Sequence, residues 1–215
     1  MRAMVKSLRV VCLGILTIGM GTSVAQAESM LWMDNTTGMG MGVLYSGPTG
    51  SPTIAPYSIY SSTNKGRVIT YSGGMLMDVD ASNTWNLNHA QITLDLTGWE
   101  QIRVYFNHKS YDDEAHNFGG SDGKNSFQGT ANADGVSVST DGVNFKPIWT
   151  PSSSESGNWY SVNLTNVDTA IAEALALSGG NGSLSTVTFR LQQYDNYRKS
   201  YDGRGWDWFT IYGQP

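Results

Sequence analysis

The sequence predicts an all-β fold, a two-sheet antiparallel β-sandwich (jelly roll) with one short helix. Three observations predict it. Short runs alternating apolar and polar residues recur along the chain, as half-buried strands do. The separators are rich in Gly, Asn, Asp, Ser and Pro, and only 14% of the residues are charged. A helical period occurs in a single stretch, Asn166 to Leu177.

Residues 1–27 read as a secretory signal peptide, with Arg2, Lys6 and Arg9 ahead of an uncharged apolar run from Val10 to Met20. Ala25-Gln26-Ala27 is a small-residue cleavage site. The apolar run is well short of the ~20 residues that a membrane span needs. Cleavage leaves 28–215 as a single jelly-roll domain, exported to the periplasm or secreted. Losing three cations and no anions takes the net charge from −5 to about −8, which disfavours nucleic acid as a partner. The only cysteine, Cys12, leaves with the signal, so the mature chain has no disulfide. A bound cation is one alternative staple.

Between Glu28 and Gly74 the segments Val43–Tyr45, Ile54–Tyr60 and Arg67–Tyr71 read as short strands, separated by turn-forming stretches at 47–52 and 62–66. Met75-Leu76-Met77-Asp78 is a strand ending in an acid. Ala90–Leu96 and Ile102–Phe106 alternate cleanly around Thr97-Gly98 and read as adjacent antiparallel strands. A long polar loop, 108–130, follows, and loops of that length are functional or disordered. Gly135–Thr140 and Val143–Trp149 flank Asp141-Gly142, a strong hairpin signal. Trp159–Leu164 is a further strand. The helix has Asn166 or Asp168 as its cap, Val167, Ile171, Ala174 and Leu175 as its apolar face, and the glycines at 179–182 as its stop. Val187–Gln192 and Trp206–Tyr212 read as a closing hairpin around Asp202-Gly203.

The densest polar cluster runs from His108 to His116 and contains Asp112, Asp113 and Glu114. Its carboxylates suit calcium, which takes six to eight oxygen ligands. Its histidines suit zinc or another transition metal instead, although no helical HExxH is present. The plain alternative is a solvated acidic loop. Asp207, set between Trp206 and Trp208, needs a cation, Arg190 or Arg204 as compensation if it is buried. Asp134 and Asp141 each precede Gly and read as turn formers.

Seven Trp and eleven Tyr invite a carbohydrate-binding reading, because sugar C–H faces stack on exposed rings. Trp85, Trp159, Tyr194, Tyr197 and Tyr201 sit in loop-like contexts and are the candidates. Trp32, Trp99, Trp149 and Trp206 read as core. There is no GxSxG, no cysteine nucleophile and no phosphate-cradling loop, so no catalytic residue is assigned. Glu114 and Asp207 would make a glycosidase pair only at a suitable separation.

The segments LMD (76–78), Asn88-His89-Ala90, LDLTG (94–98), the histidine–acid cluster (108–116), DGVSVSTDGVNF (134–145), FRLQQYDN (189–196) and DGRGWDWFTI (202–211) occur in an order that resembles exported bacterial jelly-roll domains. These are similar to the MAM-like and concanavalin-like sandwiches of secreted and surface proteins. The resemblance covers about two thirds of the chain. It implies a non-catalytic binding or adhesion module with a structural Ca²⁺, and by position it makes Asp78, Asp113, Glu114 and Asp207 the cation ligands. His108 and His116 join the aromatics as ligand-binding residues. Trp208 departs from the pattern, which expects Asn or Asp after Asp207. The expected partner is an extracellular glycan or surface protein. A small secreted polysaccharide lyase or glycoside hydrolase and an extracellular matrix or surface-layer protein are the alternatives.

Overall fold

The computed structural model describes residues 28–34, 42–43, 58–61, 66–71, 74–79, 86–111, 133–152, 157–195 and 202–215. Among them the strands are β1 (Ser29–Asp34), β2 (Gly42–Val43), β3 (Ser58–Ser61), β4 (Gly66–Tyr71), β5 (Gly74–Val79) and β6 (Asn86–Leu94). They continue as β7 (Glu100–Ser110), β8 (Gly135–Ser139), β9 (Lys146–Trp149), β10 (Tyr160–Leu164), β11 (Val187–Asp195) and β12 (Arg204–Gln214), with helix α1 (Val167–Leu177) between β10 and β11. Residues 1–27, which the sequence reads as a signal peptide, lie outside the described residues.

The strands form two antiparallel sheets. The seven-stranded sheet runs β10-β7-β12-β1-β2, with β5 and then β4 attached to β12; the five-stranded sheet runs β3-β6-β11-β8-β9. β12 is the hub of the larger sheet. Along one edge it pairs with β7; along the other it pairs with β5 through Arg204–Trp206 and with β1 through Thr210–Gly213. The core between the sheets takes Ala90, Ile92 and Leu94 from β6, Phe189 and Leu191 from β11, and Val136 and Val138 from β8. Val104, Phe106, Trp206, Phe209 and Ile211 face them from the larger sheet. Each fully buried side chain of this size contributes about 1.5–3 kcal/mol.

The hairpin at Asp141-Gly142 forms as the sequence predicts, joining β8 to β9. Asp141 Oδ1 accepts hydrogen bonds from the Val143 and Asn144 amides at 2.9 and 2.8 Å, and Oδ2 accepts from Asn144 Nδ2 at 2.7 Å. Burial alone would raise this carboxyl. The donors from Asn144, Val143 and Ser139 outweigh it and hold the group down at about 2.

Helix α1 buries Val167, Ile171 and Ala174 and ends at Gly179, whose φ of 60° closes the last turn. Its start differs from expectation. Asn166 is left-handed, with φ 67°, and makes no side-chain cap. Asp168 instead accepts the Ile102 amide at 2.9 Å, tying the helix to the start of β7.

Two expected pairings are corrected. β6 and β7 are not neighbours: β6 pairs with β3 and β11, whereas β7 pairs with β10 and β12. The Thr97-Gly98 turn carries the chain from one sheet to the other. Likewise β11 and β12 belong to opposite sheets, so the closing pair is a crossover rather than a hairpin.

Candidate functional site

The two outer faces of the sandwich differ sharply. On the five-stranded sheet the outward side chains of β8 and β11 are closed off. Ser137 and Gln192 are fully buried, and Arg190 lies flat over Phe145 with its guanidinium carbon 3.4 Å from the ring centroid. With the Gln91 amide turned so that its oxygen faces Arg190, it accepts Nε and Nη2 at 2.7 Å each. Burial, with Arg190 beside it, pushes His89 on this face down to about 4.

The outer face of the seven-stranded sheet is open and aromatic. The register Trp206↔His108↔Tyr160 faces the core, so the next row outward is Trp159, Lys109 and Gly205. Trp159 precedes β10 and is 37% exposed. Its segment is held by Gly157, which adopts φ 74° and donates its amide to Ser110 O at 3.1 Å.

The indole drops across β7 onto two glycines. A Cβ on Gly74 would stand 2.9 Å from Trp159 Cη2, and one on Gly205 would stand 3.1 Å from the same atom. Tyr111 shares the notch, its Cε2 being 2.8 Å from a Cβ on Gly205. Tyr71, also 37% exposed, meets Tyr111 edge-on with centroids 5.5 Å apart. The Lys109 ammonium lies 4.4 Å from the Tyr111 centroid, a cation–π contact of about 0.5–1 kcal/mol at such a site.

Beside these rings runs a line of hydrogen-bonding groups. The Tyr105 hydroxyl donates toward Asn107 Oδ1 and Ser161 Oγ, each at 3.2 Å, and the Ser161 hydroxyl donates to Asn107 Oδ1 at 2.7 Å. Further along, Arg103 Nη1 bridges both Glu28 carboxylate oxygens at 3.0 and 2.9 Å. Arg103 Nη2 donates to Asn163 Oδ1 at 3.2 Å, and the guanidinium carbon stands 5.9 Å from the Tyr212 ring centroid. Rings that present flat apolar faces beside amide and hydroxyl groups suit a ligand with C–H faces and a hydroxylated rim.

Of the residues that the sequence puts forward, Trp159 lies in this face. Trp85, His116, Tyr197, Tyr201, Asp113 and Glu114 lie outside the described residues. Two others are corrected. His108 is fully buried inside the sandwich, its ring centroid 4.4 Å from that of Trp149 and 5.7 Å from that of Tyr160. Burial, with Arg204 nearby, pushes it down to about 3, so at neutral pH it is an uncharged core residue out of reach of an external ligand. Tyr194 is 6% exposed and offers no platform.

Nor is Asp134 a turn former. It is buried; its Oδ1 accepts the Tyr194 amide at 2.7 Å, and its Oδ2 pairs with the buried Arg204 Nη2 at 3.5 Å, linking the two sheets. Arg204 is thereby committed to Asp134 rather than to Asp207.

The described half of the expected calcium set does not converge. Asp78 follows Met77, the partner of Arg204, whereas Asp207 follows Trp206, the partner of Met75. The two acids are four rungs apart on one ladder, roughly 13 Å at the rise of a β-strand. Two ligands of one ion, each held at about 2.3–2.6 Å, cannot be so far apart. Among the described residues no group of three His, Cys, Asp or Glu is placed to hold a metal ion.

The sequence reading did not single out Tyr71, Lys109, Tyr111 or the Gly74–Gly205 notch. Their signal is spatial: they come from different strands and share a face only once the register is known.

No family model matches this chain, and no curated protein matches it. Among solved structures it is similar to CBM29_1, a family 29 carbohydrate-binding module from Piromyces equi. That likeness has 9% identity, covers 89% of this chain and 93% of the module, and has a TM-score of 0.38. A point variant of CBM29-2, from work on ligand recognition by the same family, is similar at 10% identity over 87% of this chain and 92% of its own, with a TM-score of 0.37. Overlap this loose transfers no site, and the fold described above rests on the strand ladders themselves.

Proposed function

We propose that this chain is a non-catalytic carbohydrate-binding module that holds an extracellular glycan on the outer face of its seven-stranded sheet. The observation that carries the reading is the seating of Trp159 on the glycine notch of Gly74 and Gly205, with Tyr111 and Tyr71 completing an exposed aromatic floor. A ring held by backbone contact presents its free face without loss of rotamer freedom on binding, which favours affinity. Ser161, Asn107 and Tyr105 line the floor and supply donors and acceptors for hydroxyl groups. The export signal read at residues 1–27 supports an extracellular ligand.

Calcium enters the proposal through Asp113 and Glu114 with at most one of Asp78 and Asp207, since those two are too far apart to share an ion. A Ca²⁺-dependent rise in melting temperature that Asp113→Ala abolishes is the expected result.

The test is affinity electrophoresis of residues 28–215 through gels carrying soluble β-glucan, mannan, xylan or pectin. Retardation in at least one gel, relieved by Trp159→Ala, is expected. Free migration through every gel would defeat the reading.

A further inference from the structure

Trp208 is a backbone irregularity on the same face. It lies in the left-handed region at φ 53°, a conformation unusual for a bulky side chain. It forms a bulge: Asp207 pairs with Asn107 and Thr210 with Tyr105, so two residues of β12 oppose Phe106 alone. The bulge shifts the phase of the strand. Trp206 and Phe209 both face the core, and Trp208 is left 49% exposed.

On the edge away from β7, the 207–209 stretch falls where β5 ends and before β1 begins. A half-exposed side chain on so central a strand projects from the outer face. A packing explanation is weak, because the strain and the exposure act in the same unfavourable direction and the core is filled by the residues on either side.

We infer that Trp208 is a second aromatic platform, and that the ligand is an extended oligosaccharide chain lying along β12 rather than a single sugar or a chain end. The inference rests on the carbohydrate-binding reading above and adds to it the length and mode of the ligand. From Lys109, opposite the Trp159 notch, to Phe106, opposite the bulge, is three residues of β7, about 10 Å. One pyranose ring cannot cover both platforms, whereas a short oligosaccharide can. Of the polar groups that join them, Asn107 and Ser161 fall in that interval, and the Tyr105 hydroxyl reaches both from the next outward position of β7.

The experiment is calorimetric titration of residues 28–215 with the cello-, manno-, xylo-, chito- and oligogalacturonate series, comparing disaccharides with hexasaccharides. For a series that binds, the hexasaccharide should bind the wild type about tenfold or more tightly than the disaccharide, a step of about 1.4 kcal/mol. Trp208→Ala should bring the hexasaccharide to the disaccharide level while leaving the disaccharide within about twofold. Trp208→Gly, which removes the ring and suits the left-handed backbone, should lose the same long-chain affinity while melting no lower than the wild type. A lower melting temperature for Trp208→Gly with unchanged hexasaccharide affinity would make the residue structural and overturn the inference. Equal affinity for short and long chains in the wild type, with Trp159→Ala still abolishing binding, would overturn the extended-chain mode and leave the module intact. Silence of the wild type toward every series would overturn both.

Discussion

The buried histidine gives a prediction whose size follows from the structure. His108 lies between Trp149, Tyr160, Trp206 and Phe106, and burial, with Arg204 nearby, pushes its pKa from 6.5 to about 3. Above pH 6.5 the imidazole is neutral in both the folded and the unfolded chain, and its titration contributes nothing. Below 6.5 the unfolded chain takes up a proton that the folded chain refuses, so unfolding consumes a proton and stability falls as the pH falls. The loss continues until the pH nears the folded value. At pH 4 it amounts to two and a half units at about 1.36 kcal/mol each, or about 3 kcal/mol. His89, pushed down to about 4, adds a slope over the upper part of the same range, so the His108 contribution is isolated by comparing the wild type with His108→Phe. Urea unfolding of both proteins at pH 7, 6, 5 and 4 is the assay. The variant should be the less stable at pH 7, and the gap should move in its favour by about 3 kcal/mol by pH 4. A gap constant across the range would refute the burial of a neutral His108 and, with it, the register that turns this residue inward.

Three further outcomes follow. Asp134→Ala should destabilise the protein by about 3–5 kcal/mol in urea, because it strands the buried Arg204 and frees the Tyr194 amide; a loss below 1 kcal/mol would mean that water reaches this pair. Gly205→Ala should lift Trp159 and Tyr111 and weaken glycan binding several-fold, with an overpacking cost of about 1–3 kcal/mol; unchanged affinity would separate the notch from the binding floor. Asp141→Ala should cost about 1 kcal/mol at pH 7, a modest figure because the group is only half-buried and solvent screens it. The Asp141 contribution is complete above its ordinary value of 3.8 and lost as the pH falls through about 2, so the variant and the wild type should converge in acid.

Alternation along the sequence identified most strands and, for β6 and β7, which residues face inward, because one buried face imposes a period of two. The helix and the β8–β9 hairpin were legible for equally local reasons: a helical apolar stripe, and a carboxylate that satisfies the amides of its own turn. Partnership was not legible. Thr97-Gly98 has the chemistry of a tight turn, yet the chain there passes from sheet to sheet, and a strand's own pattern does not reveal its neighbour.

The same limit hid the site. Trp159 could be proposed from its polar context, but the notch beneath it joins Gly74 on β5 to Gly205 on β12, and Tyr111 reaches it from the end of β7. Trp208 was obscured by its own strand: the alternation from Trp206 to Tyr212 looks unbroken, and the bulge that shifts its phase leaves no mark in residue types. His108 misled because a histidine at the head of an acidic run resembles a ligand, while its parity on β7 places it in the core.

The measurement that bears most directly on the central claim is a titration of the wild type and Trp159→Ala with the polysaccharide that retards the chain in gels. The account predicts saturable binding by the wild type and a loss of about tenfold or more in the variant, with little change in melting temperature. Equal affinity in the two proteins would contradict it, because the seated indole is the feature on which the binding face depends.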